Sequence, residues 1–403
     1  MNSFNNKGGR HYWLSTELLK KNYRPTVFSA STNHVTNENL DIERGKYKEY
    51  SSGDIPFVFV KTPSYKTNNY KRVLNMLVFY KNVITVAREY AKKNEEPDII
   101  LASSVHPLTL VAGIKIAKKF NIPCIVEVRD LWPESLVAYS KISKDNILTK
   151  LLYRLEKWIY INADSIVMTW EGGKQYIIDQ GWQDEVNIDK VSHISNGIIL
   201  EDFDANSQKY VYEDPDLDNK NYHNIVYTGS IREVNNLGLI LDAAKIISHN
   251  NKKIRFLIYG SGDEIGFLKD RVRNENITNV IFKGMVEKKY IPSILKRAYA
   301  NLLHNSSTIL DKYGQSQNKL FEYMASGRCI VQTYKTEFSV IDRYNCGISV
   351  EQQNPESIAS ALINLSNNAE KVELKGKNAR KNAIHHDFSY LTDKLIKIIE
   401  NDK

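Results

Sequence analysis

A chain of 403 residues exceeds what one hydrophobic core ordinarily organises, so two domains are the expectation. Hydrophobic content of 42% with 25% charged residues is globular, and the apolar runs are strand-sized, which leaves no candidate for a membrane-spanning helix. A net charge of +8 favours an anionic partner, while the lack of an Arg-rich tract or an RNA-binding motif argues against nucleic acid.

Residues 1–10 read as a loop, 11–21 as a helix with Trp13, Leu14, Leu18 and Leu19 on one side, and 26–30 as a strand. Lys7-Gly8-Gly9-Arg10 at the helix start would let backbone approach a phosphate between two cations, or is a plain turn. A doubly wound domain places a strand before such a loop. None is read here, so a first strand is expected to be missing, or the native start to lie upstream. No signal peptide is read in residues 1–15. Residues 31–65 are polar and irregular apart from Phe57-Val58-Phe59-Val60. Then Tyr70–Lys93 reads as a long basic helix. Its apolar stripe is Val73, Leu74, Leu77, Val78, Val83, Ile84 and Ala87; Lys71, Arg72, Lys81, Arg88, Lys92 and Lys93 are its cations. It either faces the core or rests its basic end on an anionic bilayer.

From Pro97 the rhythm becomes strand, helix, strand: 98–102, 108–119 and 123–128. Ser103-Ser104-Val105-His106-Pro107 follows the first strand and Arg129-Asp130-Leu131-Trp132-Pro133-Glu134-Ser135 the second. Charged groups at the carboxyl end of a parallel sheet lie where open α/β proteins bind ligands, so His106, Arg129 and Asp130 are expected in one crevice. A structural loop histidine and an internal Arg129–Asp130 pair are the alternatives. Residues 147–161 form a second amphipathic helix with Lys150, Arg154 and Lys157. Residues 204–222 are polar and acidic and read as an interdomain linker. Their Asp214-Pro215-Asp216 and Asp216-Leu217-Asp218 are read as solvated rather than as a divalent-cation site. The three cysteines, Cys124, Cys329 and Cys346, are far apart and read as buried free thiols of a reducing compartment, without zinc-site spacing.

The second half repeats the rhythm, with strands at 224–228, 254–259, 280–282 and 300–304. Gly229-Ser230-Ile231-Arg232 follows the first of them and Gly260-Ser261-Gly262-Asp263-Glu264 the second, the latter only imitating a dinucleotide fingerprint. The most informative stretch is 313–331, read as loop, helix and strand, with Ser316 or Asn318 as cap and Leu320, Phe321 and Met324 on the apolar face. Lys319 is the misfit, because a cation in the first turn opposes the helix dipole by roughly 0.3–1 kcal/mol. A bound anion would reverse that sign, with Glu322 one turn on for sugar hydroxyls. A solvent-facing Lys319–Glu322 pair is the alternative. The tail, 366–403, reads as helical and basic.

The run from Glu127 to Ser135 resembles the strand-end motif of glycosyltransferase family 4. So do Ser195-Asn196-Gly197 before Asp202-Phe203, Tyr259-Gly260-Ser261-Gly262, and Asn318-Lys319-Leu320-Phe321-Glu322-Tyr323-Met324-Ala325-Ser326-Gly327. The resemblance covers nearly the whole chain. It extends to the branch that builds capsular and O-antigen polysaccharides, including staphylococcal-type capsule N-acetyl-L-fucosamine transferases. It implies an α/β GT-B fold of two Rossmann-like doubly wound domains facing a crevice. The expected divisions are 1–203 on the acceptor side, the linker 204–222, the nucleotide-sugar domain 223–385, and a C-terminal helix 386–403 crossing back to the first domain.

The implied activity is retaining transfer of a sugar from a UDP-sugar to an undecaprenyl-diphosphate-linked acceptor, without a metal or other cofactor, at the inner face of the plasma membrane. Other capsule-assembly enzymes are expected partners. Implied roles follow the motifs. Glu322 would bind the ribose, and Lys319 with Ser316 and Asn318 the diphosphate. Gly8 and Gly9 would face the donor phosphate, and Met285 and Val286 the base. Arg129 and Asp130 would border the transferred sugar and acceptor. His106, Gly229, Arg232, Gly260 and Leu320 complete the donor-binding set. Three departures stand out. Gly314 occupies the position where many members have an earlier glutamate, Arg129 the place of a histidine, and Arg232 is an out-of-register substitute for the usual Arg and Lys. A nucleotide-sugar 2-epimerase and a non-catalytic nucleotide-sugar-binding subunit are the rival readings.

Overall fold

The structure is a computed structural model, and it describes residues 2–33, 36, 38–65, 70–104, 106–139 and 141–402. Val105 of the expected Ser103–Pro107 turn lies outside the described residues. The chain divides into two compact units, Met1–Ser195 with Phe388–Lys403, and Asn196–Asp387.

The first unit opens with α1 (Asn2–Asn5), α2 (Arg10–Lys20), β1 (Val27–Ala30), β2 (Tyr47–Ser52) and β3 (Ile55–Val60). Then come α3 (Tyr70–Lys93), β4 (Ile100–Ser103), α4 (Pro107–Phe120), β5 (Cys124–Val128), α5 (Glu134–Ala138), α6 (Ile147–Asn162), β6 (Ser165–Met168), α7 (Gly173–Asp179) and β7 (Val191–His193). One sheet runs β1-β3-β2; the other runs β4-β5-β6-β7 and is parallel throughout. The strand Cys-Ile-Val-Glu-Val of β5 is buried along its whole length, as a central parallel strand requires. Helix α4 starts with Pro107 and ends on left-handed Asn121, and the Asn146 side chain caps α6 by accepting from the Leu148 N–H at 2.8 Å. Val58 and Val60 of β3 pack with Val83 and Val86 of α3 and Ala112 and Ile116 of α4 in one core.

Three expectations about its elements fail in this unit, the first being the loop read over residues 1–10, which contains the short helix α1. The stretch read as irregular contains a hairpin, β2 against β3. Its polar strand Tyr47–Ser52 is largely exposed, so no apolar alternation announces it. The stripe of α3 is not continuous either. Phe79, Val83 and Val86 are buried, but Val73, Leu74 and Leu77 are exposed. Phe79 already meets His106, at the start of α4, with ring centroids 6.4 Å apart, so the first two turns of α3 run ahead of the helix it packs on.

The second unit comprises α8 (Leu200–Lys209), α9 (Pro215–Asp218), β8 (His223–Thr228), α10 (Leu237–Asn250), β9 (Ile254–Tyr259), α11 (Ile265–Asn274), β10 (Val280–Gly284), α12 (Ile291–Arg297) and β11 (Ala300–Leu303). It continues through α13 (Asn318–Ser326), β12 (Cys329–Gln332), α14 (Val340–Arg343), β13 (Gly347–Ser349), α15 (Pro355–Ser366) and α16 (Ala369–Asn382). Its six strands are parallel in the order β10-β9-β8-β11-β12-β13, which reverses direction between β8 and β11. That reversal is the topological switch point where open α/β sheets take ligands. The last helix, α17 (Phe388–Asp402), belongs to the first unit and packs on α2, with the Trp13 and Phe388 rings 5.0 Å apart.

Residues 204–222 are not a solvated linker. Leu217 is buried in the second unit's core, and Tyr212 packs against it. Asp214 accepts from Lys283 Nζ at 2.7 Å and from the Tyr259 hydroxyl at 2.7 Å; Asp216 accepts from Lys283 Nζ at 2.6 Å and Arg255 Nη1 at 3.0 Å. The neutralising cations lie on β9 and β10, distant in sequence, so a local reading sees only acid. All three cysteines are free and buried, and burial pushes each thiol up to about 12.

Candidate functional site

At the carboxyl edge of the second unit's sheet, Gly229 follows β8 and Gly260 follows β9, with φ of 148° and 155°. The Gly229 N–H donates to Tyr259 O at 3.0 Å, and the Ile231 N–H to Ser261 O at 2.9 Å. A methyl on Gly260 would fall 1.8 Å from Gly229 O, and one on Gly262 1.9 Å from Ile231 O. The glycines thus let two strand-end loops lie backbone against backbone. This packing explains the Gly-Ser-Gly spelling without a dinucleotide.

Helix α13 begins after Gln317, which provides no side-chain cap. Lys319 in its first turn reaches back over the end of β8. Its Nζ lies 3.1 Å from the Tyr227 hydroxyl and 4.3 Å from that ring's centroid, and a methyl at Gly229 would stand 2.8 Å from it. The Tyr227 hydroxyl donates to Ser230 O at 2.8 Å, so its oxygen is what Lys319 meets. Burial raises the Tyr227 phenol well above its ordinary value and keeps it protonated. Burial also pushes the Lys319 ammonium down to about 8, against the opposing charge of Glu322. The i, i+3 pair does not form. Glu322 Oε1 lies instead 3.7 Å from Lys288 Nζ.

His304, after β11, was not singled out by sequence. Its Nε2 donates to Asn236 O at 2.9 Å and its Nδ1 accepts from the Thr333 hydroxyl at 2.5 Å, because a carbonyl can only accept. Burial pushes it down to about 4, so it is neutral. Ser316 Oγ accepts the Asn196 N–H at 2.7 Å. Asn318 is exposed, and the Leu320 side chain is wholly buried in the core. After β10, Met285 is exposed and Val286 packs on the core; Arg232 is exposed after the Gly229 turn.

In the first unit, Gly9 (φ 94°) is the residue before α2. Beside it, buried Arg10 donates Nε to Glu127 Oε1 at 2.7 Å, Nη1 to Ser195 O at 2.6 Å and Nη2 to Ile194 O at 3.1 Å. Glu127 Oε2 also accepts from Ser103 Oγ at 2.6 Å and lies 3.0 Å from His11 Nε2. Burial alone would raise this carboxyl, but Arg10, His11 and Ser103 hold it well below the usual range. Arg10 and Glu127 thereby fix Gly8-Gly9 at the carboxyl edge of β4 and β5. The sequence displayed both residues, next to Gly9 and beside Val128-Arg129, but not their partnership.

His106 and Asp130 line one pocket with Trp132, Glu156 and Tyr160. His106 is buried, and burial with the nearby Arg72 charge pushes it down to about 4. Its Nδ1 has no hydrogen-bond partner among the described residues. Asp130 is exposed as a residue, yet desolvation by the surrounding protein raises its carboxyl against the charge of Arg129. Arg129 does not line this pocket. Its N–H donates to Ser104 Oγ at 2.9 Å and its carbonyl accepts from Trp170 Nε1 at 2.9 Å. Glu156 was missed: it accepts from the Tyr160 and Tyr176 hydroxyls at 2.7 and 2.8 Å, and burial pushes it up to about 8. Glu134 of the motif accepts from the Tyr153 hydroxyl at 2.7 Å, a packing contact to α6.

Residues 12–202 match the sequence model described as Glycosyltransferase Family 4, and residues 222–368 match that described as Glycosyl transferases group 1. No curated protein matches the chain in sequence. Among solved structures it is similar to a sucrose-phosphate synthase from Thermosynechococcus elongatus, with 16% identity and a TM-score of 0.70 over 98% of this chain and 94% of that one. An E. coli trehalose-6-phosphate structure bound with UDP-2-fluoro glucose has 12% identity and a TM-score of 0.70 over 97% and 95%. Anabaena HepE in complex with UDP has 13% identity and a TM-score of 0.63 over 82% and 84%. Fold and family matches define the class as a GT-B glycosyltransferase with two Rossmann-like units. The chain carries a glycosyltransferase family 4 domain in its first half and a group 1 glycosyl transferase domain in its second.

Proposed function

We propose that this chain is a retaining, metal-independent glycosyltransferase that takes a UDP-sugar donor, with N-acetyl-L-fucosamine the sugar its motifs resemble most. The acceptor is an undecaprenyl-diphosphate-linked sugar, in capsular or surface polysaccharide synthesis, at the inner face of the plasma membrane. The observation that carries the donor reading is Lys319, a closely surrounded ammonium beside Gly229 at the switch point, with a neutral phenol as its hydrogen-bond partner. The UDP and UDP-sugar complexes of similar structures support the choice of nucleotide.

In this reading the diphosphate lies between Lys319 and the uncapped start of α13, which stabilise its charge as the glycosidic bond to phosphate breaks. Glu322, one turn on, accepts from the ribose hydroxyls. The acceptor hydroxyl attacks from the face the phosphate leaves, and its proton passes to the departing phosphate oxygen. The acceptor is assigned to the first unit's own pocket, which His106 and Asp130 line.

A thermal-shift titration with UDP, GDP and NAD tests the donor site, because stabilisation grows as RT ln(1 + [L]/Kd). The expected result is a UDP-selective shift that Glu322→Ala reduces. A shift with GDP alone overturns the nucleotide, and no shift with any of the three overturns the donor site.

A further inference from the structure

The first two turns of α3 expose Tyr70 (73%), Val73 (55%), Leu74 and Leu77, and the first two of α6 expose Ile147 (78%), Leu148 (61%) and Leu151. Scattered apolar residues on a surface need no explanation, but seven on two helix starts do. Topology brings these starts to one edge. Helix α6 links the parallel strands β5 and β6, so it begins at their carboxyl end. Helix α4 likewise begins at the carboxyl end of β4, and α3 runs alongside α4 in the same sense. Phe79 meets His106, and Val83 and Val86 pack with Ala112 and Ile116 further on. Phe79 lies beside His106 at the pocket, and Glu156 lines it. About 13 Å of helix axis separates Tyr70 from Phe79, and Ile147 from Glu156.

The charge around these side chains is one-sided. Lys71, Arg72 and Lys81 accompany the α3 turns with no acidic residue from Tyr70 to Asn82. Lys141, Lys144, Lys150 and Arg154 accompany those of α6 with one carboxylate, Asp145, which stands 4.0 Å from Lys150. Exposed apolar side chains ringed by cations are what an anionic bilayer interface accommodates: carbon enters the acyl boundary while ammonium groups meet lipid phosphates.

We propose that the starts of α3 and α6 together form the surface by which this protein docks on an anionic lipid bilayer, with the His106–Asp130 pocket set back from the lipid. The inference rests on the lipid-linked acceptor proposed above. It differs from adsorption by a basic helix face, because the apolar side chains are required.

Vesicle flotation of the full chain tests it, with zwitterionic vesicles and with vesicles containing phosphatidylglycerol, neither holding any saccharide acceptor. The wild type is expected to float with the anionic vesicles only. Leu74→Ser/Leu77→Ser and Ile147→Ser/Leu148→Ser should each weaken that partition roughly tenfold, and Lys71→Gln/Lys81→Gln should reduce its salt sensitivity. Both serine pairs replace exposed residues, and an unchanged UDP thermal shift certifies their folding. Serine pairs that float like the wild type overturn the proposal, as does a wild type that ignores anionic vesicles. Self-association of the wild type in buffer, abolished by the serine pairs, assigns the surface to a second copy instead and also overturns it. Failure of the UDP shift in the wild type, with flotation as expected, sinks the donor reading and leaves the docking surface standing.

Discussion

Each unit holds a charge at the carboxyl edge of its parallel sheet, and the two do so in opposite ways. Glu127 in the first unit is surrounded by Arg10, His11 and Ser103, and its carboxyl is held well below the ordinary range. Lys319 in the second unit has a phenol oxygen and an aromatic face, and its ammonium falls to about 8. Desolvating either charge costs several kcal/mol unless partners offset it. Where the offset is complete, the charge fastens the chain. Where it is partial, the remaining attraction is available to a ligand of opposite sign.

Breaking the satisfied side should have the largest effect. Glu127→Ala leaves Arg10 buried without its carboxylate and is expected to cost about 3–5 kcal/mol in urea unfolding. A loss under about 1 kcal/mol, the range of exposed pairs, would mean that Arg10 is not a buried anchor. The under-partnered side should respond in the opposite sense. Lys319→Met is expected to raise the Tm of the unliganded protein while lowering sugar transfer by about 10²–10³. The wild type's UDP affinity should fall above about pH 8 as Lys319 loses its proton, a bend the Met variant lacks.

Glu156 sharpens the comparison, since two tyrosines hold it without a cation. Its folded-state value is raised from 4.5 to about 8, so between them the folded protein binds the extra proton. The stabilisation is fully present below about 4.5 and is lost as pH rises through 8, at up to about 1.4 kcal/mol per pH unit. Glu156→Gln keeps a hydrogen-bonding group and should remove that slope from a Tm-against-pH series. The smallest effect belongs to Ser316→Ala, which removes the acceptor of the Asn196 N–H for about 0.5–1.5 kcal/mol. A UDP thermal shift that survives would confine Ser316 to that tether; a shift that vanishes would put its hydroxyl on the donor.

The second unit was the more legible in sequence. Its strands are short apolar runs, β8 and β9 closed by a glycine, and β8, β9 and β11 lie where the sequence reading puts them. Lys319 also announced itself locally, as a cation at the wrong end of a helix. What escaped was whatever depends on partners distant in sequence: Arg10 with Glu127, Glu156 with Tyr176, and Asp214 and Asp216 with Lys283. The α3 stripe misled for a related reason. Periodicity shows that a helix has an apolar side, but not that a neighbour is long enough to cover it. The edge strand β2 was invisible because its own residues are polar and β3 supplies the carbon.

The stacked turns at Gly229, Gly260 and Gly262 have a consequence for how selectivity in this protein could change. Beside the Tyr227 ring on which Lys319 rests, they make a floor in which peptide group meets peptide group, with no room for even one added carbon at Gly260 or Gly262. At these two glycines selection and protein engineering therefore have nothing to edit. A lineage or a mutant library that alters the preferred sugar must write the change into side chains that overhang this floor, while the floor itself passes from variant to variant as a constant.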